Sequence, residues 1–114
     1  MDVAIVGGTG DEGFGLALRL GRAGVRVVIG SRSEEKGSGR AADALGILGD
    51  GAQVSGTTNQ QAVEACEVVF VTVPFEGQAE IYRSIKGHVR PGTVVCDATS
   101  PLATAVGGRA WHVS

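Results

Sequence analysis

Short apolar runs alternate with helix-spaced apolar positions along most of this chain. Residues 3–6 are a continuous apolar run closed by Gly7-Gly8, the pattern of a strand buried on both faces. Apolar residues then recur at Phe14, Ala17, Leu18 and Leu20, which predicts a helix over 14–23 stopped by Gly24. Residues 25–29 are rich in β-branched side chains and predict a second strand. Ser31, with Glu34 three positions on, fits a capping box for a helix running to about Leu45. A weak strand at 53–55 and a short helix at 59–65, capped by Thr58 or Asn59, follow. Then come a near-continuous apolar strand at 68–73, a helix at 77–86 ended by Gly87, and a fifth strand at 93–96. Past Pro101 only 110–113 reads as a further short strand. The order βαβαβαβαβ predicts an α/β fold, a Rossmann-type doubly wound parallel sheet in a single domain with right-handed crossovers.

Composition narrows the class of partner. A chain of 114 residues is one domain's worth. Its 19 glycines are more than twice the usual share of ~7%, and they fall at element ends, as turn and contact residues do. Ten Lys and Arg stand against 12 Asp and Glu, and no like-charge run exceeds pairs such as Asp11-Glu12. That argues against a nucleic-acid or membrane surface as the main partner. Cys66 and Cys96 suit small-hydrophobe roles in a reducing compartment. No segment approaches the ~18 apolar residues of a membrane span, and no basic region precedes the first apolar run. A soluble, cytoplasmic protein is expected.

The chemistry gathers at predicted strand ends. Gly8-Thr9-Gly10-Asp11-Glu12-Gly13 fits G-x-G-x-x-G between a buried strand and an amphipathic helix, where a pyrophosphate cradle requires it. The first glycine permits the tight turn, the second lets backbone approach a phosphate, and the third lets helix and strand pack closely. The helix N-terminus offers free N–H groups to the anion. Asp11 and Glu12 would repel a pyrophosphate if aimed at it, so both side chains are expected to face solvent. Where NAD-binding domains keep a carboxylate, this chain has Ser31-Arg32-Ser33, with Lys36 a turn further on. A hydroxyl and a guanidinium bind a 2′-phosphate that a carboxylate would repel, which favours NADP(H) over NAD(H) despite Glu34 and Glu35. Thr72-Val73-Pro74-Phe75 and Ala98-Thr99-Ser100-Pro101-Leu102 end the fourth and fifth strands, with hydroxyls and rigid prolines fit to line a nicotinamide ring.

Other constellations are weaker. Tyr82-Arg83-Ser84-Ile85-Lys86 matches the Y-x-x-x-K of short-chain dehydrogenases, but it precedes the fifth strand where those enzymes place it after. His88 and His112 stand without ligand-like neighbours in sequence, so a metal site is not expected. Trp111 is the one tryptophan, expected to pack on the sheet edge or on a surface outside the chain.

The chain resembles the N-terminal domain of the NADPH:F420 oxidoreductases. Four segments carry the likeness: Ala4-Ile5-Val6-Gly7-Gly8-Thr9-Gly10, Gly15-Leu16-Ala17-Leu18-Arg19-Leu20, Gly30-Ser31-Arg32-Ser33-Glu34-Glu35-Lys36 and Val71-Thr72-Val73-Pro74. It extends over about residues 2–102, leaving 103–114 as a tail. The resemblance implies hydride transfer between NADP(H) and the deazaflavin coenzyme F420 as second substrate, with no general base required. It implies that Thr9, Ser31, Arg32 and Lys36 meet the NADP phosphates, and that Ser100-Pro101-Leu102 lie near the facing rings. Val73 and Pro74 are expected beside the nicotinamide. Members of that family continue into a helical C-terminal part that completes the deazaflavin pocket and the homodimer, and this part is expected to be absent here. Position 11, often uncharged in the family, is acidic. A non-catalytic NADP(H)-binding sensor or regulatory module is the alternative function, and an atypical short-chain reductase a third.

Overall fold

The computed structural model describes residues 1–49, 51–73, 75–97 and 112–113. Its strands are β1 (Asp2–Val6), β2 (Arg26–Ser31), β3 (Val54–Thr58), β4 (Val68–Val71), β5 (Val94–Asp97) and β6 (His112–Val113). They form one sheet in the order β3-β2-β1-β4-β5-β6, parallel except for β6, which runs antiparallel to β5 at the edge. The helices are α1 (Asp11–Arg22), α2 (Glu34–Leu48), α3 (Asn59–Ala65) and α4 (Gln78–Ile85), the last flanked by 3-10 turns at Phe75–Gly77 and Lys86–His88. This is the predicted Rossmann-type doubly wound sheet.

Strand alternation divides the core into two layers. Val3, Ile5, Val27 and Ile29 face α1 and α2, packing with Phe14, Ala17, Ala41 and Ala44. Ala4, Val6, Val28, Val69 and Val71 face α3 and α4, packing with Ala62, Val63, Cys66, Ile81 and Ile85. Both faces of the central strands are thus covered, which is why their sequence is apolar without alternation. β1 sits between β2 and β4, so successive crossovers leave it in opposite directions and the strand order reverses there.

Several boundaries differ from the sequence reading. The N-cap of α2 is Ser33, whose hydroxyl accepts from Lys36 N–H at 3.2 Å; Ser31 instead ends β2, buried. α1 starts at Asp11, ahead of its apolar stripe, with the polar, exposed Asp11 and Glu12 as its first two residues. β4 ends at Val71, since Thr72 turns to bond Val6. α4 ends at Ile85 and Gly87 lies in the following 3-10 turn.

β3 is the largest departure, a full strand at Val54–Thr58 where only a weak one at 53–55 was expected. Ser55-Gly56-Thr57-Thr58 reads as a turn in isolation. Its strand state comes from pairing with Val28 through Ser31 of β2 and from α2 lying directly on it. There backbone meets backbone: a Cβ on Gly37 of α2 would stand 2.5 Å from the Thr57 carbonyl, and one on Gly56 would land on the Gly37 carbonyl. The Ser38 hydroxyl donates to the Gly56 carbonyl at 3.2 Å across the same contact.

Gly56→Ala is therefore expected to cost at least ~2 kcal/mol, in the upper part of the overpacking range, because the obstructing atoms, from Gly37 and Ser38, are all backbone. Gly39→Ala, on α2 with open space around its Cβ position, should instead stabilise by ~0.5–1 kcal/mol by relieving the helix-interior glycine penalty. Urea unfolding of the two variants checks both signs.

Candidate functional site

The end of β1 and the start of α1 form a glycine turn whose parts have distinct duties. The tight reversal belongs to Gly7, with φ +75°, rather than to Gly8 as expected. Gly8 is held by close approach, since a Cβ there would lie 2.9 Å from both the Ile29 side chain and the Ile5 carbonyl. Gly13 packs similarly, its Cβ position 2.5 Å from Thr72 Oγ1 and 2.7 Å from Gly8 Cα. Gly10 is different: nothing but the Gly7 carbonyl, at 3.7 Å, comes near its Cβ position.

Three neighbours hold this turn. Gly7 N–H donates to Asn59 Oδ1 of α3 at 3.2 Å, and Gly8 N–H donates to the Gly30 carbonyl of β2 at 3.0 Å. The Thr72 hydroxyl donates to the Val6 carbonyl at 2.9 Å. Asn59 and Thr72 are buried. Sequence reading gave Asn59 only a capping role and Thr72 only a lining one. The cap of α3 is Thr58, whose hydroxyl accepts from Gln61 N–H at 3.2 Å, leaving the Asn59 side chain for the turn.

A cleft of about 510 Å³ opens beyond this turn, lined among others by Thr9, Gly10, Ser31, Arg32, Lys36 and Val73. These six sequence-predicted residues are thus brought to one place. Gly8 and Gly13 are packed within the turn and do not line the cleft, and Asp11 and Glu12 are exposed at the start of α1, also outside the lining. Pro74, Ser100, Pro101, Leu102 and Trp111 lie outside the described residues. The N-terminus of α1 has glycine as N-cap and no side-chain cap, whereas Ser33 and Thr58 cap α2 and α3. Its first amide groups are thereby left for a ligand or water.

The cations of the cleft are Arg32 and Lys36, both exposed, and no carboxylate pairs with either among the described residues. Glu34 and Glu35 occupy the first turn of α2, where they suit the helix dipole, and do not line the cleft.

Tyr82 and Lys86 do not form a short-chain reductase pair. In that chemistry a lysine lowers the tyrosine pKa. Here burial, and then the Asp97 carboxylate that bonds the phenol, push Tyr82 up to about 12. Gln78 also donates to Asp97, at 3.3 Å, so α4 is fastened to the end of β5. Cys66 is fully buried, and burial pushes its thiol up to about 11; Cys96 is half-buried in β5, and both are free. His88 is not isolated as expected, because it pairs with Glu64 across the surface of α3. Among the described residues no three His, Cys, Asp or Glu gather as metal ligands, and no helix is long and apolar enough to cross a membrane.

Known proteins fit this geometry. Residues 2–101 match the family of coenzyme F420-dependent NADP oxidoreductases. The chain is 46% identical over 111 residues to an F420-dependent NADP reductase of Methanothermobacter thermautotrophicus, covering 96% of this chain and 47% of that protein. It is 39% identical to the reductase of the same name from Methanocaldococcus jannaschii, with 96% and 49% covered. The chain thus spans about half the length of these relatives. Among solved structures, it is similar to a lactate dehydrogenase of Cryptosporidium parvum (TM-score 0.72, 20% identity, 95% of this chain and 42% of that one). A (S)-3-hydroxybutyryl-CoA dehydrogenase of Ralstonia eutropha gives TM-score 0.70 at 23% identity, over 87% and 41%. These two likenesses are of fold.

Tyr82 and Cys66 bind their protons more tightly folded than unfolded. Their share of stability is complete below their ordinary values of 10.0 and 9.0 and is lost as pH rises through about 12 and about 11. The unfolding free energy should accordingly fall across that alkaline window, and Tyr82→Phe should remove the upper part of the fall. Denaturant titrations at successive pH values measure this.

Proposed function

The chain belongs to the coenzyme F420-dependent NADP oxidoreductase family, and from that membership we propose that it binds NADP(H) in the cleft for hydride exchange with a deazaflavin such as F420. Residues 1–102 are the binding unit in this reading, with 103–114 a tail. The observation that carries it is the pair of exposed cations, Arg32 and Lys36, with no carboxylate paired to either among the described residues, on a cleft wall beside the buried Ser31. That is an environment for a 2′-phosphate, with no acidic residue at the end of β2 to favour a 2′-hydroxyl; the carboxylate that lines the cleft, Glu76, belongs to the 3-10 turn before α4.

The residues present fit a dinucleotide on structural grounds. Gly10 leaves open space where a phosphate approaches, and α1 offers uncapped amides at Asp11, Glu12 and Gly13. Thr9 and the turn from Gly8 to Gly13 would hold the pyrophosphate; Ser31, Arg32 and Lys36 would hold the 2′-phosphate. Val73 and Pro74, with Ser100 and Pro101, are assigned to the nicotinamide side from the sequence. Bound NADPH supplies the hydride. The protein's share is orientation and exclusion of water, which such a transfer needs more than it needs an acid or base. A Tyr82 phenol held near 12 and bonded to Asp97 is unsuited to proton transfer at neutral pH, in keeping with that requirement.

Arg32→Ala is expected to weaken NADPH by ~1.5–3 kcal/mol, the range for a hydrogen bond to a charged group, and NADH hardly at all. Calorimetric titration of both nucleotides decides this, and equal losses would refute the discriminating role. Mixing the chain with NADPH and oxidised F420 tests the exchange itself through deazaflavin absorbance. Retained binding without turnover would mark a nucleotide-binding module in place of an enzyme.

A further inference from the structure

Arg32 precedes the cap of α2, and Lys36 and Arg40 follow on the helix four residues apart, on one face of it. The third behaves unlike the other two. The Arg40 side chain is 29% exposed, and each of its nitrogens is engaged. Nε donates to the Thr9 carbonyl at 3.2 Å. Nη1 lies 3.5 Å from Asp43 and Nη2 lies 3.8 Å from Asp11. The guanidinium carbon sits 3.7 Å from the centroid of the Phe14 ring, a cation–π contact that fixes its plane.

Thr9 C=O and Gly10 N–H belong to one peptide unit. Its N–H donates to the Gly7 carbonyl at 3.2 Å while its oxygen accepts from Arg40, so both ends of that peptide plane are tied. Gly10 has no Cβ and nothing crowding it, so little else opposes rotation of this plane. A half-turn would take the Thr9 oxygen off Arg40, set it against the Gly7 carbonyl and undo the shape of the turn. Asp11 is a second hazard, a carboxylate at the start of a helix whose amides would face a bound anion.

We propose that Arg40 is a positioning residue that makes the glycine turn fit to receive a pyrophosphate, by locking the Thr9–Gly10 peptide and drawing the Asp11 carboxylate to the α2 side. It acts on affinity for any dinucleotide, while Arg32 acts on the choice between NADPH and NADH. The inference rests on the NADP(H) reading above.

Calorimetry with NADPH and NADH on the wild-type chain, Arg40→Gln, Asp11→Asn and the double variant tests it, with circular dichroism confirming the fold of each. Arg40→Gln should weaken both nucleotides by about tenfold and leave their ratio unchanged. Asp11→Asn should restore part of that loss, gaining more in the Arg40→Gln background than in the wild type, because only there is the carboxylate free to swing inward. Arg40→Lys keeps the charge but offers one nitrogen in place of three, so it should fall between. If Arg40→Gln does not fold, the same Asp11→Asn comparison is made in Arg40→Lys. Affinity within about twofold of wild type, or an Asp11→Asn effect equal in both backgrounds, overturns the proposal. A wild-type chain that binds neither nucleotide overturns the NADP(H) reading with it, which separates the two failures.

Discussion

The backbone at the carboxyl end of β1 is tied on every side, and the cleft exists because of those ties. The Val6 carbonyl accepts both the N–H and the hydroxyl of Thr72. Gly7 N–H goes to Asn59, and Gly8 N–H is shared between the carbonyls of Ile5 and Gly30. The partners come from the end of β4, from α3 and from β2, the elements that surround the central strand. Left unpaired, such buried groups would each cost roughly 1–3 kcal/mol. Satisfying them by lateral neighbours frees the turn from capping α1, and the start of that helix remains open to a ligand.

Along α2 the same economy of partners separates cations by duty. Arg40 is committed to Thr9, Asp11 and Asp43, whereas Arg32 and Lys36 reach the cleft with no carboxylate paired to them among the described residues. Glu34 and Glu35 lie between these basic residues in sequence, in the first turn of α2, and stay off the cleft lining. The placement of these side chains, more than net charge, makes this wall positive. The seat of the helix is itself set by the Gly37–Gly56 crossing, which brings the start of α2 onto β3. At the far side of the site, Gln78 and Tyr82 fasten α4 to Asp97 at the end of β5.

Local pattern determined much of this protein. Apolar runs and helical stripes placed five strands and four helices, because a doubly covered sheet requires them and each signal is confined to a few neighbouring residues. The spacing of Gly8, Gly10 and Gly13, and the basic Ser31-Arg32 where a carboxylate is usual, were legible for the same reason. What only the tertiary structure decided lies between residues distant in sequence. That Asn59 and Thr72 hold the turn depends on partners 52 and 66 positions away, and the pairing of Ser31 with Thr58 both makes Ser55-Gly56-Thr57-Thr58 strand and leaves the cap of α2 to Ser33. A hydrogen bond or a backbone crossing has no periodicity to betray it. It becomes visible only when the chain has folded and two unrelated stretches compete for the same few ångströms.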